Sequence, residues 1–256
     1  MANSIKMKKR PYILSIAGFD PSGGAGLVAD CKTFEALKCQ GLSVCTANTI
    51  QTDTDFFECI WTSTEVIKKQ IEVLFDRFDI NVVKIGIVQN WETMSQIIDY
   101  LTTLNPKLKI VLDPVLRSST NFDFQNGFDE KAFNSILEKI YVLTPNYNEI
   151  QALFPTKEIN ETIKMISAKT NLFLKGGHNE AEKGKDYLYT QEGILHPMNP
   201  KYTNVFPKHG SGCVLSSAIA ANLALGFPLL KSCFRAKRFT EKYLGSSKEL
   251  LGRFNF

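Results

Sequence analysis

The sequence predicts an α/β protein in which a mostly parallel sheet is covered by helices on both faces. Short apolar runs alternate with amphipathic segments along most of the chain, as expected for βαβ units. Most of these runs are largely apolar without strict alternation, which is typical of strands buried on both faces. With 256 residues, 44% of them hydrophobic, the chain can form one large domain, which we take to be 1–256.

Each element follows from its local pattern. Apolar runs predict strands at 12–18, 42–50, 82–88, 109–115, 141–145 and 171–177, and then an antiparallel hairpin of 186–190 with 193–196. Helical spacing of apolar residues predicts helices at 25–39, 64–78, 91–104, 130–140, 147–154, 161–169, 213–225 and 228–246. Gly41 is placed to end the first helix, Thr62 and Glu65 have capping-box spacing, and Asn90 can cap the third helix.

Composition excludes several classes of protein. The net charge of +4 is mild, so nothing indicates a nucleic-acid partner, and the basic stretch 6–10 is interpreted as part of a solvated arm formed by residues 1–11. Six cysteines without a CxxC pair indicate a reduced, cytoplasmic protein. No apolar run reaches about 18 residues, so neither a membrane-spanning helix nor a membrane partner is expected.

Distinctive residues cluster at the predicted carboxyl ends of strands, where ligands bind in folds of this class. The glycine-rich turn "GFDPSGGAG" at 18–26 lets the backbone approach a ligand closely, although it also fits a plain strand–helix turn. Asp30, one turn into the helix, could bind a substrate amine or hydroxyl group or could be a solvated acid. Gln51 offers donors and an acceptor suited to a heterocyclic ring edge, or is an ordinary loop residue.

A second set of strand-end residues suits phosphate chemistry. Asp113 ends "VLDPV" and can hold Mg²⁺ or begin an Asp-Pro turn. Asn146 and Glu149 have capping-box spacing, which also directs Glu149 toward a metal ion. Lys175 in "KGG" (175–177) could meet a phosphate or be a surface lysine.

The segment "HGSGC" (209–213) opens a helix behind a glycine-rich turn. Successive N–H groups there form an anion-binding nest, and the positive end of the helix adds to it. A helix N-terminus lowers the pKa of a thiol, so Cys213 could accept a proton or act as a nucleophile. The alternative is a small packing residue.

Taken together, "SIAGFDPSGGAGLVADCKTFEALKCQGLSVCTANTIQT", "VVKIGIV", "VLDPV", "LTPNYNE", "FLKGGH" and "HGSGCVLSSAIAANLALG" resemble the hydroxymethylpyrimidine/phosphomethylpyrimidine kinases of thiamine biosynthesis. The resemblance covers roughly residues 12 to 225. It implies a three-layer ribokinase-like fold, ATP and Mg²⁺ as cofactors, a small pyrimidine substrate and a homodimer. On the substrate side it assigns contacts with the pyrimidine to Gly18, Asp30, Gln51 and Val115.

The same resemblance implies roles around the phosphates. Asp113 and Glu149 match the metal positions, and Asn146, Lys175 and Gly177 match the nucleotide side.

In the glycine motif, Gly210 and Gly212 match the anion hole and Cys213 matches the proton-handling position, whereas Ser211 departs from the family's threonine but keeps a hydroxyl group beside them. Lys208 departs from the family pattern and adds a charge that we expect near the donor phosphates.

Two further departures concern the substrate side. Ile87 replaces the family's usual methionine, and the stretch 117–126 replaces a Ser-Gly-Asp element. Whether that flap orders on binding, and whether one phosphorylation or two take place, stay open at this point.

Three alternatives remain beside an alcohol-group phosphotransferase acting on hydroxymethylpyrimidine. A pyridoxal kinase would use the same site. A non-catalytic pyrimidine-binding protein could keep the scaffold, although the presence of Asp113, Glu149 and Cys213 argues against it. A nucleotide-dependent dehydrogenase is disfavoured because the chain has no GxGxxG fingerprint.

Overall fold

The computed structural model describes residues 9–116, 128–178, 182–202 and 204–255. Residues 1–8 of the expected arm and the 117–126 flap lie outside these ranges. The strands are β1 Tyr12–Phe19, β2 Gln40–Gln51, β3 Phe56–Trp61, β4 Ile80–Ile85, β5 Lys109–Leu112, β6 Val142–Leu143, β7 Asn171–Leu174, β8 Asp186–Tyr189 and β9 Leu195–Met198. The helices are α1 Gly26–Ala36, α2 Thr64–Arg77, α3 Trp91–Leu104, α4 Glu130–Leu137, α5 Tyr147–Leu153, α6 Ile159–Ser167, α7 Ser211–Ala224 and α8 Leu229–Leu244.

All nine strands of the described residues form one mixed sheet in the order β3-β2-β1-β4-β5-β6-β7-β8-β9. The six neighbouring strands in the middle of the sheet, β2, β1, β4, β5, β6 and β7, are parallel to one another. At the two edges β3, β8 and β9 add antiparallel pairs. β1 lies between β2 and β4. The chain therefore first adds strands on one side of β1 and later adds β4 on its other side. Ligands bind at the carboxyl ends of strands around such a switch point.

Two hydrophobic layers cover the sheet. Alternate residues of each central strand face opposite layers, because successive side chains in a strand point to opposite faces. Leu14 and Val83 pack with α2 and α3, whereas Ile13 and Val82 pack with α7 and α8. The structure thus has the expected three layers, with a mostly parallel sheet between two layers of helices. None of the described helices is both long enough and apolar enough to cross a membrane.

The structure differs from the sequence-based expectations at three places. Residues 56–61 form the edge strand β3, which we did not predict, because only part of each side chain is buried there and the apolar pattern does not alternate. Helix α1 ends at Ala36 rather than near Gly41, and Lys38 takes the left-handed conformation, φ 64°, that we had expected of a glycine. Helix α2 is capped by Ser63, which lies one residue after the expected cap.

Candidate active site

The first glycine-rich turn follows β1 and is organised by Asp20. The carboxylate of Asp20 accepts hydrogen bonds from the N–H groups of Ser22 and Ala25 at 2.8 and 2.7 Å. Burial raises the pKa of Asp20, but the hydrogen bonds from His209, Ser22 and Ala25 outweigh burial and hold it below its usual value. Gly26 requires a glycine, because its φ is +55° and a Cβ there would lie 2.2 Å from the carbonyl oxygen of Gly18.

The second glycine-rich turn packs directly against the first. Gly210 is the N-cap of α7 with φ 71°, and a Cβ at this position would lie 2.1 Å from the carbonyl oxygen of Gly24. His209 Nε2 lies 2.9 Å from Asp20 Oδ2 and ties the two turns together across 189 residues of sequence. The site wall therefore consists of two interlocked backbone turns, with the N-terminus of α7 at their junction.

Three charged side chains form a cluster below this helix end. Lys175 Nζ lies 2.8 Å from Asp113 Oδ1 and 3.5 Å from Glu149 Oε2. A Cβ added to Gly212 would lie 3.3 Å from Lys175 Nζ, so the ammonium group directly faces the backbone of the second turn. An anion held by the N–H groups of α7 would therefore also meet a positive charge, as the transfer of a phosphoryl group requires.

The neighbours of this cluster fix its protonation. Burial raises the pKa of Asp113, but the Lys175 and Lys84 ammonium groups outweigh burial and hold it below its usual value. Burial raises the pKa of Glu149, and Lys175 offsets this only in part. The pKa of Lys175 is lowered by burial yet raised further by its two carboxylates, so the lysine stays charged.

Hydrogen bonds also set the orientation of the two acids. Asp113 receives bonds from Thr144 at 3.2 Å and from Ser216 at 3.1 Å, in addition to Lys175. Asn146 and Glu149 form a complete capping box at the start of α5, with Glu149 Oε2 accepting from the Asn146 N–H. The capping interpretation of this pair is thus correct, and the same cap places the carboxylate of Glu149 beside Lys175.

The structure changes the interpretation of Cys213. The sequence position at a helix start led us to expect a lowered pKa, but burial raises the pKa of the thiol to about 11. The nearby Lys84 ammonium and a hydrogen bond from the Gly26 N–H favour the thiolate without overcoming burial. Cys213 is therefore a neutral thiol at physiological pH in the absence of ligands.

Asp30 does not reach the surface of the site, contrary to our expectation of a substrate contact. Its side chain is fully buried and forms an ion pair with Lys84 at 2.8 Å. Its two oxygens also accept hydrogen bonds from Ser15 on β1 and Ser217 on α7. Asp30 thus joins α1, α7 and the sheet beneath the two glycine turns. The signal that could have revealed this pair is Lys84 itself, a charged residue inside the buried strand sequence "VVKIG".

Lys208 also lies elsewhere than expected. Its ammonium group binds the carbonyl oxygen of Ser247 at 2.7 Å and is buried, so it points toward the end of the chain rather than toward donor phosphates. Ser211, its neighbour in the same turn, opens α7 at the anion nest.

The residues expected on the substrate and nucleotide sides lie at strand ends. Gly18 has Ile87 directly above it, because a Cβ there would lie 2.4 Å from Ile87 Cδ1. Gln51 ends β2, three residues beyond the Asn48 that pairs with the end of β1, and its amide donates to Thr49. Val115 lies in the turn after β5, and Gly177 is exposed with open space around its Cα.

Comparison with known proteins identifies the family. The family model for phosphomethylpyrimidine kinase matches residues 20–254. The hydroxymethylpyrimidine/phosphomethylpyrimidine kinase of Aquifex aeolicus is 34% identical over 246 residues, which cover 93% of this chain and 95% of that protein.

Two solved structures agree in fold. The phosphomethylpyrimidine kinase of Clostridium difficile is 30% identical with a TM-score of 0.71, covering 92% of this chain and 98% of its own. An ADP complex of Bacillus subtilis pyridoxal kinase is 25% identical with a TM-score of 0.78, covering 93% of both chains. With the family model matching most of its length, this chain belongs to the phosphomethylpyrimidine kinase family.

Proposed function

We propose that this protein transfers the γ-phosphoryl group of ATP to the hydroxymethyl oxygen of 4-amino-5-hydroxymethyl-2-methylpyrimidine, and then phosphorylates the monophosphate. The observation that carries the proposal is the close approach of Lys175 to the backbone of Gly212 at the N-terminus of α7. This arrangement offers fixed N–H donors and a charge where negative charge develops during transfer. Membership of the kinase family supports the same chemistry.

The phosphate side of the site would work by positioning. The N–H groups of residues 210–213 would bind the transferring group, and Lys175 would neutralise part of its charge. Asn146 and Gly177 lie at the ends of β6 and β7 next to Lys175, where the donor nucleotide would approach.

The acids fit a magnesium ion to different degrees. Every hydrogen bond of Glu149 among the described residues goes through its Oε2 atom or its main chain, so Oε1 is available to an ion. Asp113 already accepts from Lys175, Thr144 and Ser216, and would reach the ion by giving up one of these donors. When bound, Mg²⁺ would be held by Glu149 and Asp113 and would reduce the negative charge of the donor phosphates.

The substrate ring would lie between the ends of β1 and β2 on one side and the turn after β5 on the other. Ile87 packs on Gly18 and would form an apolar wall against the ring, and the amide of Gln51 can bind a ring nitrogen or amino group. Val115 would close the pocket from the turn after β5. The thiolate form of Cys213, at the junction of the turns, would take the proton of the attacking hydroxyl group.

The test is product analysis with ATP, Mg²⁺ and hydroxymethylpyrimidine, counting the phosphates added by mass spectrometry. We expect a monophosphate that is converted to a diphosphate. Pyridoxal is assayed beside it, because the TM-score of 0.78 to a pyridoxal kinase exceeds that of 0.71 to a phosphomethylpyrimidine kinase. Faster turnover of pyridoxal would replace the proposal with a pyridoxal kinase, and pyrimidine binding without any transfer would indicate a non-catalytic binding protein. The homodimer stays a prediction that analytical ultracentrifugation can check.

A further inference from the structure

The chain after α8 folds back onto the two glycine-rich turns. We call Ser246–Phe254 the C-terminal segment. It is closed on itself, because Ser246 Oγ accepts from the Arg253 N–H at 2.9 Å and Ser247 Oγ donates to the Leu251 carbonyl at 3.2 Å. The segment therefore has a defined shape of its own.

Two backbone carbonyls of the segment bind the second glycine turn. The Leu250 carbonyl accepts from the His209 N–H at 3.0 Å, and the Ser247 carbonyl accepts from Lys208 Nζ at 2.7 Å. The ring of the same His209 pairs with Asp20. A continuous series of hydrogen bonds thus runs from the C-terminal segment through the second turn to the first.

A side chain of the segment reaches the first turn directly. A Cβ added to Gly24 would lie 2.7 Å from Leu251 Cδ2 and 2.6 Å from His209 Cδ2, so Gly24 is enclosed between these two side chains. The segment is anchored nearby, because the Phe254 ring lies 4.9 Å from that of the fully buried Tyr243. Gly252 packs against the Tyr243 ring, because a Cβ added to Gly252 would lie 2.3 Å from a carbon atom of that ring.

We propose that the C-terminal segment is a positioning element of the active site, with Leu251 as the residue that holds the first glycine turn against the second. The inference rests on the proposed function only for its kinetic test. The N–H groups that receive the phosphoryl group belong to these turns, and a displacement of about 1 Å in such a site lowers turnover by up to a hundredfold. Leu251 acts through the turn and touches no reacting atom.

The test compares Leu251→Ala with Leu104→Ala. Both leucines are 37% exposed, but Leu104 ends α3 and leads into the amino end of β5, whereas the glycine-rich turns lie at the carboxyl ends of the parallel strands. We expect Leu251→Ala to lower kcat about tenfold or more with little change in KM for the pyrimidine or in Tm. Leu251→Met should restore most of the activity, and Leu104→Ala should behave as the wild type.

Amide hydrogen exchange gives a second readout that needs no activity. In Leu251→Ala, and in Gly252→Ala where the added Cβ displaces the segment, the amides of residues 22–26 and 209–213 should exchange faster than in the wild type. Unchanged exchange in both turns, together with unchanged kcat, would refute the proposal. An inactive wild type would instead refute the proposed function and leave the exchange result to decide the inference.

Discussion

Cys213 lies where the two glycine-rich turns meet, and its chemistry depends on how strongly burial opposes its ionisation. With the pKa of the thiol raised to about 11, only a small fraction is thiolate at neutral pH. At pH values below the pKa, the thiolate fraction grows about tenfold for each unit by which the pH rises. A proton acceptor of this kind makes the reaction rate rise with pH.

This gives the first prediction. If the thiolate accepts the substrate proton, kcat of the wild type should rise steeply between about pH 8 and pH 10, whereas the lower kcat of Cys213→Ala should be flat. Cys31→Ala is the matched control, because burial also raises the pKa of Cys31 to about 11. Pre-steady-state or steady-state kinetics across this range checks the prediction. Full turnover by Cys213→Ala, or the same profile in both enzymes, would exclude the proton-accepting role.

Asp30 gives a prediction about stability. Asp30→Asn leaves the Lys84 ammonium fully buried without its counter-charge, which we expect to lower the free energy of unfolding by about 3 to 5 kcal/mol. The double variant Asp30→Asn with Lys84→Met should recover much of this loss, since the uncompensated charge is then absent. Urea unfolding measures both.

Glu35→Gln is the control for that experiment. It breaks the exposed ion pair between Arg10, which precedes β1, and Glu35, which lies on the same helix as Asp30, and it should change stability little. If Asp30→Asn is as stable as this control, the buried pair does not hold the helices to the sheet as described.

At the scale of residues, the sequence predicted which strand-end residues lie together, but not the direction of every side chain. Asp113, Glu149, Lys175 and the glycines of the second turn do lie together, because each follows a parallel strand or opens α7 at one edge of the sheet. Asp30 and Lys208 were misplaced, because the direction of a side chain depends on partners remote in sequence, Lys84 for the first and Ser247 for the second.

At the scale of elements, the two glycine-rich turns approach each other closely through their backbones at Gly24 and Gly210. Gly210 combines a positive φ with a Cβ position occupied by the Gly24 carbonyl oxygen. Helix α7 can begin where it does only because both conditions are met by glycine.

The corresponding prediction separates these two conditions. Gly210→Ala should lower kcat at least a hundredfold, because the turns must move apart by more than an ångström. Gly193→Ala is the control, since Gly193 has φ 82° but no atom within 4 Å of a Cβ, so it carries only the backbone strain. Kinetics and thermal unfolding of both variants check this. Equal loss of activity in the two variants would show that strain, not the contact between turns, is responsible.

Most elements were predictable to within a few residues, since buried parallel strands and amphipathic helices have strong local patterns. Strand β3 was not predictable, because its apolar residues do not alternate and its side chains are exposed or only partly buried. We also placed the end of α1 near Gly41, because a left-handed residue after a helix is usually a glycine. Here Lys38 takes that conformation instead.

At the scale of the whole molecule, nucleotide binding should be visible as a gain in stability. AMP-PCP with Mg²⁺ at a hundred times its Kd should raise the free energy of unfolding by about 2.7 kcal/mol, and EDTA should remove much of the gain. Lys175→Met should abolish it, whereas Lys69→Met, an exposed lysine of α2, should leave it intact. Thermal shift assays measure this. A full gain in Lys175→Met would contradict the assigned role of Lys175.

The sequence did not predict the order of the strands, because β1 pairs with β4, which is far from it in the chain. It did not predict the contact of the C-terminal segment with the second glycine turn for the same reason. Local patterns specify elements, and only packing specifies their neighbours.

The bond between Asp20 and His209 has a consequence for protein synthesis. A ribosome adds about 5 to 20 residues per second, so the 189 residues between these partners take about 10 to 40 s to make. Throughout that interval the nascent chain carries the first glycine turn without the second. On the proposed function, a growing chain therefore lacks half of its phosphate-binding site until the second glycine turn and α7 have been made and have docked on the first turn.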